Sequence, residues 1–84
     1  MTVPYPKAAD VTPRQREVLA YLQRRHHWSV GEIASALKVS SAAATKAIAR
    51  LERKGLVTRT VDQMDRRFVH VSVTGAGVEA TRRS

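Results

Sequence analysis

The sequence contains no cysteine, which excludes a disulfide framework and a metal site built on thiolates. It has no apolar run near the roughly 18 residues that a membrane-spanning helix needs. Residues 1–6 include Pro4 and Pro6 and lack the apolar stretch of a signal peptide. We therefore expect a cytoplasmic protein that does not associate with membranes.

The motifs of the common enzyme classes are also missing. The sequence shows no glycine-rich phosphate loop, no carboxylate pair suited to a pocket, and no nucleophile with a base at a recognisable spacing. Its three histidines are His26, His27 and His70, and two neighbours with a distant third do not form a ligand set by spacing alone. We expect no enzyme, no cofactor and no metal site.

Basic residues are abundant: 15 Lys and Arg stand against 7 Asp and Glu, for a formal charge of +8. Such a charge is typical of proteins that bind polyanions. Ribosomal proteins, membrane-surface peptides and ordinary soluble domains share it, so the position of the charge on the structure must decide. The length of 84 residues suits one domain with a single small core.

The first helix has a clear start. Residues 1–11 contain two prolines and little periodicity, which predicts an extended N-terminal arm. Thr12 is followed by a proline and, three residues on, by Gln15, the pattern of an N-cap with a capping box. It predicts a helix from Pro13 to about Arg25.

A second, short helix follows a second capping pattern. Ser29 can cap the amide of Glu32 while the Glu32 side chain reaches back to Ser29. Residues 38–40 then form a connection of the length found in a helix-turn-helix. Trp28, just before this helix, is expected to be a core or strand residue, because so small a domain needs its single tryptophan for burial.

Ser40, or else Ser41, is predicted to cap a third helix that runs to Lys54, with Gly55 in the left-handed position after it. Helical spacing gives this helix two faces. The apolar face consists of Ala44, Ala47, Ile48 and Leu51. The other face consists of Ser41, Ala42, Thr45, Lys46, Ala49 and Arg53, with Arg50 toward its margin.

Two β-rich runs, 56–61 and 68–73, flank the polar segment 62–67 and predict a hairpin. Residues 74–77 break the second strand, and 78–84 form a short basic C-terminal tail with at most a turn or two of helix. The order of elements predicts an α+β fold, mainly α. We expect a winged helix-turn-helix domain over 12–77, with three helices followed by a two-stranded β-hairpin wing.

This arrangement suits duplex DNA, because a helix fits the major groove while a loop beside it reaches a neighbouring minor groove. Polar groups near the amino end of the third helix could meet base edges and phosphates, and its alanines would allow a close approach. At the hairpin tip, Asp65 could brace one arginine while another enters a narrow minor groove. The candidate DNA-contacting residues are Ser40, Ser41, Ala42, Thr45, Lys46, Ala49, Arg50, Arg53, Asp65, Arg66 and Arg67, with Lys54 and Arg59 as further candidates for phosphate contacts.

Three segments between Val11 and about Gly77 resemble the DNA-binding core of the MarR family of bacterial and archaeal regulators. They are Glu32-Ile33-Ala34 through Leu37, then Val39-Ser40 with Thr45 and Leu51-Glu52-Arg53-Lys54-Gly55-Leu56-Val57, and then Asp62-Gln63-Met64-Asp65-Arg66-Arg67 closing in Val71-Ser72-Val73-Thr74-Gly75-Ala76-Gly77. The last segment is the most specific, because an Asp-Arg-Arg tip followed by a strand and a Thr-x-x-Gly ending is typical of that family.

The resemblance implies a winged helix whose third helix reads the major groove and whose Arg67, supported by Asp65, reaches the minor groove. Members are usually repressors, and many release DNA when a small phenolic or oxidant signal arrives. Typical members are longer and dimerise through helices at both ends, beside which the ligand pocket lies, so this sequence does not favour a small-molecule effector. Residues 11–19 also resemble the start of the LexA-type repressor DNA-binding domain, which again implies duplex DNA.

We expect double-stranded DNA as the partner and a homodimer, because one recognition helix contacts few base pairs. The third helix and the loop would also suit a solvated polar surface, so a winged-helix protein-interaction module without DNA contact is an alternative. That module predicts an exposed apolar patch, for which Tyr5, Trp28 and Val78 are the candidates. RNA binding is a third hypothesis, and it lacks an exposed aromatic pair for base stacking.

Overall fold

A computed structural model describes residues 11–82 of the chain. Four helices and three strands lie within this range, which confirms an α+β fold in which helix prevails. Val11, the last residue of the predicted arm, is buried in the core, and the remainder of that arm lies outside the described residues. The elements are α1 (Pro13–Leu22), β1 (Trp28–Ser29), α2 (Val30–Leu37), α3 (Ser41–Arg53), β2 (Val57–Val61), β3 (Val69–Val73) and α4 (Gly75–Arg82).

Helix α1 begins as predicted and ends earlier than predicted. The Thr12 hydroxyl accepts a hydrogen bond from the Gln15 amide at 3.0 Å, and the Gln15 side chain accepts one from the Thr12 amide at 3.1 Å. The prediction that the helix continues to about Arg25 is wrong, because it ends at Leu22. The carbonyl of Leu22 accepts a hydrogen bond from the Trp28 indole at 2.8 Å, so the chain turns here toward β1.

The α2–α3 pair is a helix-turn-helix with both predicted caps. The Ser29 hydroxyl accepts from the Glu32 amide at 3.0 Å, and the Glu32 carboxylate accepts from the Ser29 amide at 2.9 Å. Lys38 ends α2 in the left-handed conformation, with φ of 58°. Ser40, not Ser41, caps α3, and Gly55 follows the helix with φ of 77°, as predicted.

The sheet contains one strand more than the predicted two. Its order is β1-β3-β2, all antiparallel. Trp28 pairs with Val71, and Val57 pairs with Val73. With only two residues, β1 is too short to show the alternation by which strands are recognised in a sequence. Trp28 is buried in the core and lies in a strand, so the expectation of a core or strand residue is confirmed.

Helix α4 starts within the segment that was predicted to be only a strand break. The Thr74 hydroxyl accepts a hydrogen bond from the Gly77 amide at 3.1 Å and donates one to the Gly55 carbonyl at 2.7 Å. Thr74 therefore caps the helix and ties it to the end of α3. The helix begins at Gly75, three residues before the predicted tail, packs against α1, and contributes the buried Ala80 to the core.

The core brings every element together. Largest among its fully buried side chains are Leu19 and Leu22 of α1, Ile33 of α2, Ile48 and Leu51 of α3, and Leu56, Val57 and Val71 of the sheet region. No polar or charged residue among those described is buried, so the charges lie on the surface. Within residues 11–82, no helix is long and apolar enough to cross a membrane.

Gly77 is predicted to tolerate no side chain. A Cβ placed there would lie far inside contact distance of the Leu56 carbonyl oxygen and of the Val73 side chain. We expect Gly77→Ala to lower the free energy of unfolding by about 1–3 kcal/mol, as overpacking does. Gly75→Ala is the matched control, since a Cβ at Gly75 meets nothing within 4 Å. Urea unfolding compares the two variants, and equal stability would contradict the close approach of α4 to Leu56.

Candidate nucleic-acid interface

Helix α3 presents one face to the core and the other to solvent. Ala44, Ile48 and Leu51 are each at most 1% exposed. The opposite face carries the predicted contact residues. Ser41, Ala42, Thr45, Lys46, Arg50 and Arg53 are exposed, and Ala49 is half-buried. The exposed face near the amino end is therefore made of small and polar side chains, which leaves room for another molecule to approach the helix.

Two hydroxyls on this face also serve the helix itself. Ser40 Oγ accepts a hydrogen bond from the Ala43 amide at 3.1 Å as the N-cap. Thr45 Oγ1 donates to the Ser41 carbonyl at 2.9 Å. The Thr45 hydroxyl proton is thus engaged, so this side chain presents acceptor lone pairs and a methyl group outward.

The wing, residues 62–68 between β2 and β3, has Asp65 and Arg67 locked together near its tip. Arg67 Nε donates to Asp65 Oδ1 at 3.0 Å, and Arg67 Nη2 donates to Asp65 Oδ2 at 2.9 Å. The Arg67 amide donates to the same carboxylate at 3.1 Å. The Arg67 side chain is nevertheless 87% exposed. Asp65 fixes the direction of the guanidinium and leaves its outer edge accessible to an anion.

The structure gives Asp62 a role that the sequence analysis did not assign. Asp62 Oδ2 accepts hydrogen bonds from the amides of Met64 at 3.0 Å and Asp65 at 2.8 Å. Asp62 Oδ1 accepts from His70 Nε2 at 3.1 Å. These hydrogen bonds, that from His70 first, lower the pKa of Asp62 from its ordinary value of 3.8. An aspartate that begins a polar loop is a known signal for such a turn.

Two basic residues proposed for phosphate contacts have partners within the domain. Arg59 Nε forms an ion pair with Glu52 Oε1 at 2.8 Å across β2 and α3. Lys54 Nζ donates to Gln15 Oε1 at 2.9 Å, which ties the end of α3 to the start of α1. Arg50, Arg53 and Arg66 are exposed, with Arg66 on the wing.

The three histidines lie closer together than their spacing suggests. The spacing predicts that His70 is distant from the other two, but its ring centroid lies 5.8 Å from that of His27, edge to face. The His26 and His27 centroids are 6.5 Å apart. No group of three or more His, Asp or Glu side chains in the described range is arranged to hold a metal ion.

A cleft of about 330 Å³ lies between α1 and α3, beside the turn that precedes α3. Its walls are mainly apolar and include Val18, Val39 and Leu51, with Arg14 and Arg50 also in the lining. Neither a carboxylate nor an imidazole lines this cleft. It therefore offers no group for acid–base chemistry.

Comparison with known proteins settles the family of this arrangement. The sequence model of the MarR family matches residues 9–67, which is more than half of the chain. The chain belongs to the MarR family. It is 42% identical over 67 residues to the HTH-type transcriptional repressor MdtR of Bacillus subtilis (strain 168), an alignment that covers 80% of this chain and 43% of MdtR.

Two solved MarR-family structures superpose closely on this chain. MepR of S. aureus, in complex with DNA, has a TM-score of 0.80 and 29% identity, over 87% of this chain and 60% of that one. A mutant MarR from E. coli complexed with operator DNA has a TM-score of 0.82 and 29% identity, over 89% and 54%. These matches confirm the predicted winged helix-turn-helix fold. The chain spans less than two thirds of each of these proteins.

The hydrogen bonds that hold Arg67 to the Asp65 carboxylate, here called the clamp, predict an acid-sensitive wing tip. Hydrogen bonds from the Arg67 side chain and then its amide lower the pKa of Asp65 from its ordinary value of 3.8. The clamp is therefore complete above pH 3.8 and is lost as the pH falls through the lowered pKa. An NMR titration of the Asp65 carboxyl carbon measures this midpoint. We expect Arg67→Gln to raise the midpoint and the neighbouring Arg66→Gln to leave it unchanged, whereas equal midpoints in both variants would contradict the clamp.

Proposed function

We propose that this MarR-family chain is a sequence-specific, double-stranded-DNA-binding transcriptional regulator that acts as a repressor. Helix α3 enters the major groove and the wing enters the adjacent minor groove. One observation carries the proposal above all: the exposed face of α3 and the braced, exposed Arg67 belong to one domain, in which α3 packs against β2 and β2 pairs with β3. The chain is not an enzyme in this proposal.

The outer face of α3 supports the major-groove part. Ala42 and Ala49 add no bulk beyond a methyl group, so the helix axis can come close to the base edges, and a methyl group can contact thymine. Thr45 offers acceptors, and Lys46 offers an ammonium group to a guanine edge or a phosphate. Ser41 lies at the amino end, where recognition helices meet the DNA.

Wing geometry supports the minor-groove part. A guanidinium held by a carboxylate loses less conformational freedom on binding than a free arginine side chain does. A narrow minor groove concentrates negative potential, which attracts such a cation. Arg66 adds a second charge at the tip. The Asp65 carboxylate lowers the positive charge of the wing tip by one unit. It contributes to binding by fixing the direction of the Arg67 side chain.

The relatives support the same function. MdtR is named a transcriptional repressor, and the MepR and MarR structures contain DNA. A homodimer stays a prediction, since two half-sites read by two copies would supply the specificity that one helix lacks.

A protein-interaction module is the second candidate, because the wing carries exposed apolar side chains. The patch expected at Trp28 is wrong, since that residue is 5% exposed, and Val78 is half-buried; Tyr5 lies outside the described residues. The exposed large apolar residues of the described range are Val61, Met64 and Phe68, at 50%, 94% and 53%. Met64 and Phe68 belong to the wing and Val61 ends β2 just before it, so a protein or the walls of a DNA groove could cover them.

The proposed contact of Arg67 with DNA predicts how the affinity for a mixed-sequence duplex depends on salt concentration. Affinity should fall linearly in log salt for the unmodified chain, because phosphate contacts release counterions. Arg67→Ala should weaken binding and reduce the slope by about one. Arg24→Ala removes the same charge from the exposed turn that follows α1, where the guanidinium lies 4.7 Å from the Tyr21 ring centroid, and should keep the slope. Fluorescence anisotropy measures both, and identical slopes in the two variants would remove the wing from the interface.

The proposed contact of the exposed face of α3 with DNA predicts the effect of a negative charge placed on that face. Ala42→Glu places a carboxylate on its exposed face, where it would repel phosphates and obstruct the groove, and should reduce DNA affinity by at least about tenfold. Ala20→Glu makes the same change on the exposed side of α1 and should have a much smaller effect. Circular dichroism checks that both variants fold. Equal losses of affinity would show that only net charge matters and would contradict the placement of α3.

A further inference from the structure

His70 lies on the outer face of the sheet, at the base of the wing. It is in the middle strand β3, opposite Thr60 of β2 and Ser29 of β1. Its Nε2 is 3.1 Å from Asp62 Oδ1, and the two side chains are 38% and 31% exposed. An ionised carboxylate only accepts hydrogen bonds, so Nε2 carries the proton and donates it to Asp62.

Asp62 connects His70 to the wing tip through its other carboxylate oxygen, Oδ2. Oδ2 accepts from the amides of Met64 and Asp65, which fixes the backbone of the loop. The loop is closed by backbone hydrogen bonds from Asp62 to Phe68 at 2.9 Å and from Phe68 to Asp65 at 3.0 Å. Asp65, once positioned, holds the Arg67 guanidinium at two points. A continuous set of hydrogen bonds thus joins His70 to Arg67.

We infer that His70 is a positioning residue for Arg67, acting through Asp62, and that its protonation strengthens the DNA contact of the wing. The inference rests on the proposed function, because Arg67, which His70 would position, belongs to the proposed DNA interface. Neutral His70 donates an ordinary hydrogen bond to Asp62, and protonated His70 adds an ionic attraction. The wing is therefore held more firmly when His70 is charged.

The other groups around His70 modify this effect without replacing it. His27 lies 5.8 Å away between ring centroids. Ser72 Oγ donates to the His26 carbonyl at 2.7 Å, so His27 Nδ1 donates to Ser72 Oγ at 3.0 Å. A charge on His27 would oppose one on His70.

The remaining neighbours of His70 leave Asp62 as its direct charged partner among the described residues. On β2, Thr58 and Thr60 share this face and carry no charge. On α2, Glu32 accepts from the Ser29 amide and is paired with Arg25 at 3.2 Å. Asp65 is paired with Arg67.

The direction of the pH effect follows from these charges. Histidine gains its charge as the pH falls from about 8 to about 5. Asp62 stays ionised over that whole range, because the hydrogen bond from His70 holds its pKa below 3.8. Protonation of His70 thus adds an attraction to a carboxylate that is already charged. Arg67 should be most firmly positioned, and the DNA contact strongest, at the acidic end.

The first test uses the full chain without DNA. NMR spectra recorded from about pH 8 to about pH 5 follow the ring of His70, the Asp65 amide and the Arg67 Nε–H. We expect the Asp65 and Arg67 signals to shift with the midpoint of His70. In His70→Gln, which keeps a donor but cannot be charged, these shifts should disappear. His26→Gln is the matched control, since the His26 side chain lies outside this set, and should preserve them.

The second test measures affinity for a mixed-sequence DNA duplex at about pH 5.5 and about pH 8. The advantage of the unmodified chain over His70→Gln should be about two- to fivefold larger at the lower pH, the size of an exposed ion pair. His26→Gln should behave like the unmodified chain. Asp62→Asn keeps an acceptor for the loop amides but offers no carboxylate to His70, so it should behave like His70→Gln.

The outcomes separate this inference from the proposed function. The inference would be overturned if the Arg67 signals did not shift together with those of the His70 ring, or if they shifted equally in His70→Gln. An equal pH response of DNA affinity in His70→Gln and the unmodified chain would overturn it as well. If the NMR coupling holds and no duplex binds at either pH, the coupling of His70 to Arg67 is supported and the DNA-binding proposal fails.

Discussion

The burial of one face of α3 determines how the other parts of the domain are arranged. Ala44 is fully buried, and its small size lets the helix lie close to the core, while Ile48 and Leu51 fill the space beneath its second half. The cap at Ser40 and the left-handed residue Gly55 set where this helix starts and stops. Because the apolar residues fix the rotation of α3 about its axis, they also determine which side chains face solvent.

The wing depends on a different interaction, since its loop contributes no residue to the buried core. Its shape comes from carboxylates: Asp62 accepts two loop amides, and Asp65 holds Arg67. Each of these hydrogen bonds is exposed or partly exposed, so each contributes modestly to stability. Their value lies in geometry, because an arginine that is already oriented needs less ordering when it meets an anion.

The elements that depend on local sequence could be predicted, and those that depend on distant contacts could not. Capping by Thr12 and Ser29 involves side chains three residues apart, so the starts of α1 and α2 are readable from the sequence. The end of α1 depends on the Trp28 indole reaching back to Leu22, which no local pattern reveals. The third strand has the same cause, since Trp28 and Ser29 become a strand only by pairing with β3.

The same distinction between local and distant contacts applies to the candidate site. Helical spacing predicted the exposed face of α3, and the resemblance to the MarR family predicted the support of Arg67 by Asp65. The Asp62–His70 contact was missed, because the two residues are eight apart in the chain and meet only through the hairpin register. Thr74 was missed for a different reason: its hydroxyl caps α4 by accepting from the Gly77 amide three residues on, but the glycines at 75 and 77 indicated a strand break and not a helix.

In the proposed complex, α3 and the wing read adjacent grooves of one DNA site. The most direct measurement is to select duplexes from a random pool with this chain and to map the recovered site by methylation protection in the major groove and hydroxyl-radical footprinting. We expect a common sequence whose protected major-groove bases lie about half a helical turn from a protected minor-groove stretch. A pool that enriches no sequence, or protection spread evenly along the duplex, would contradict it.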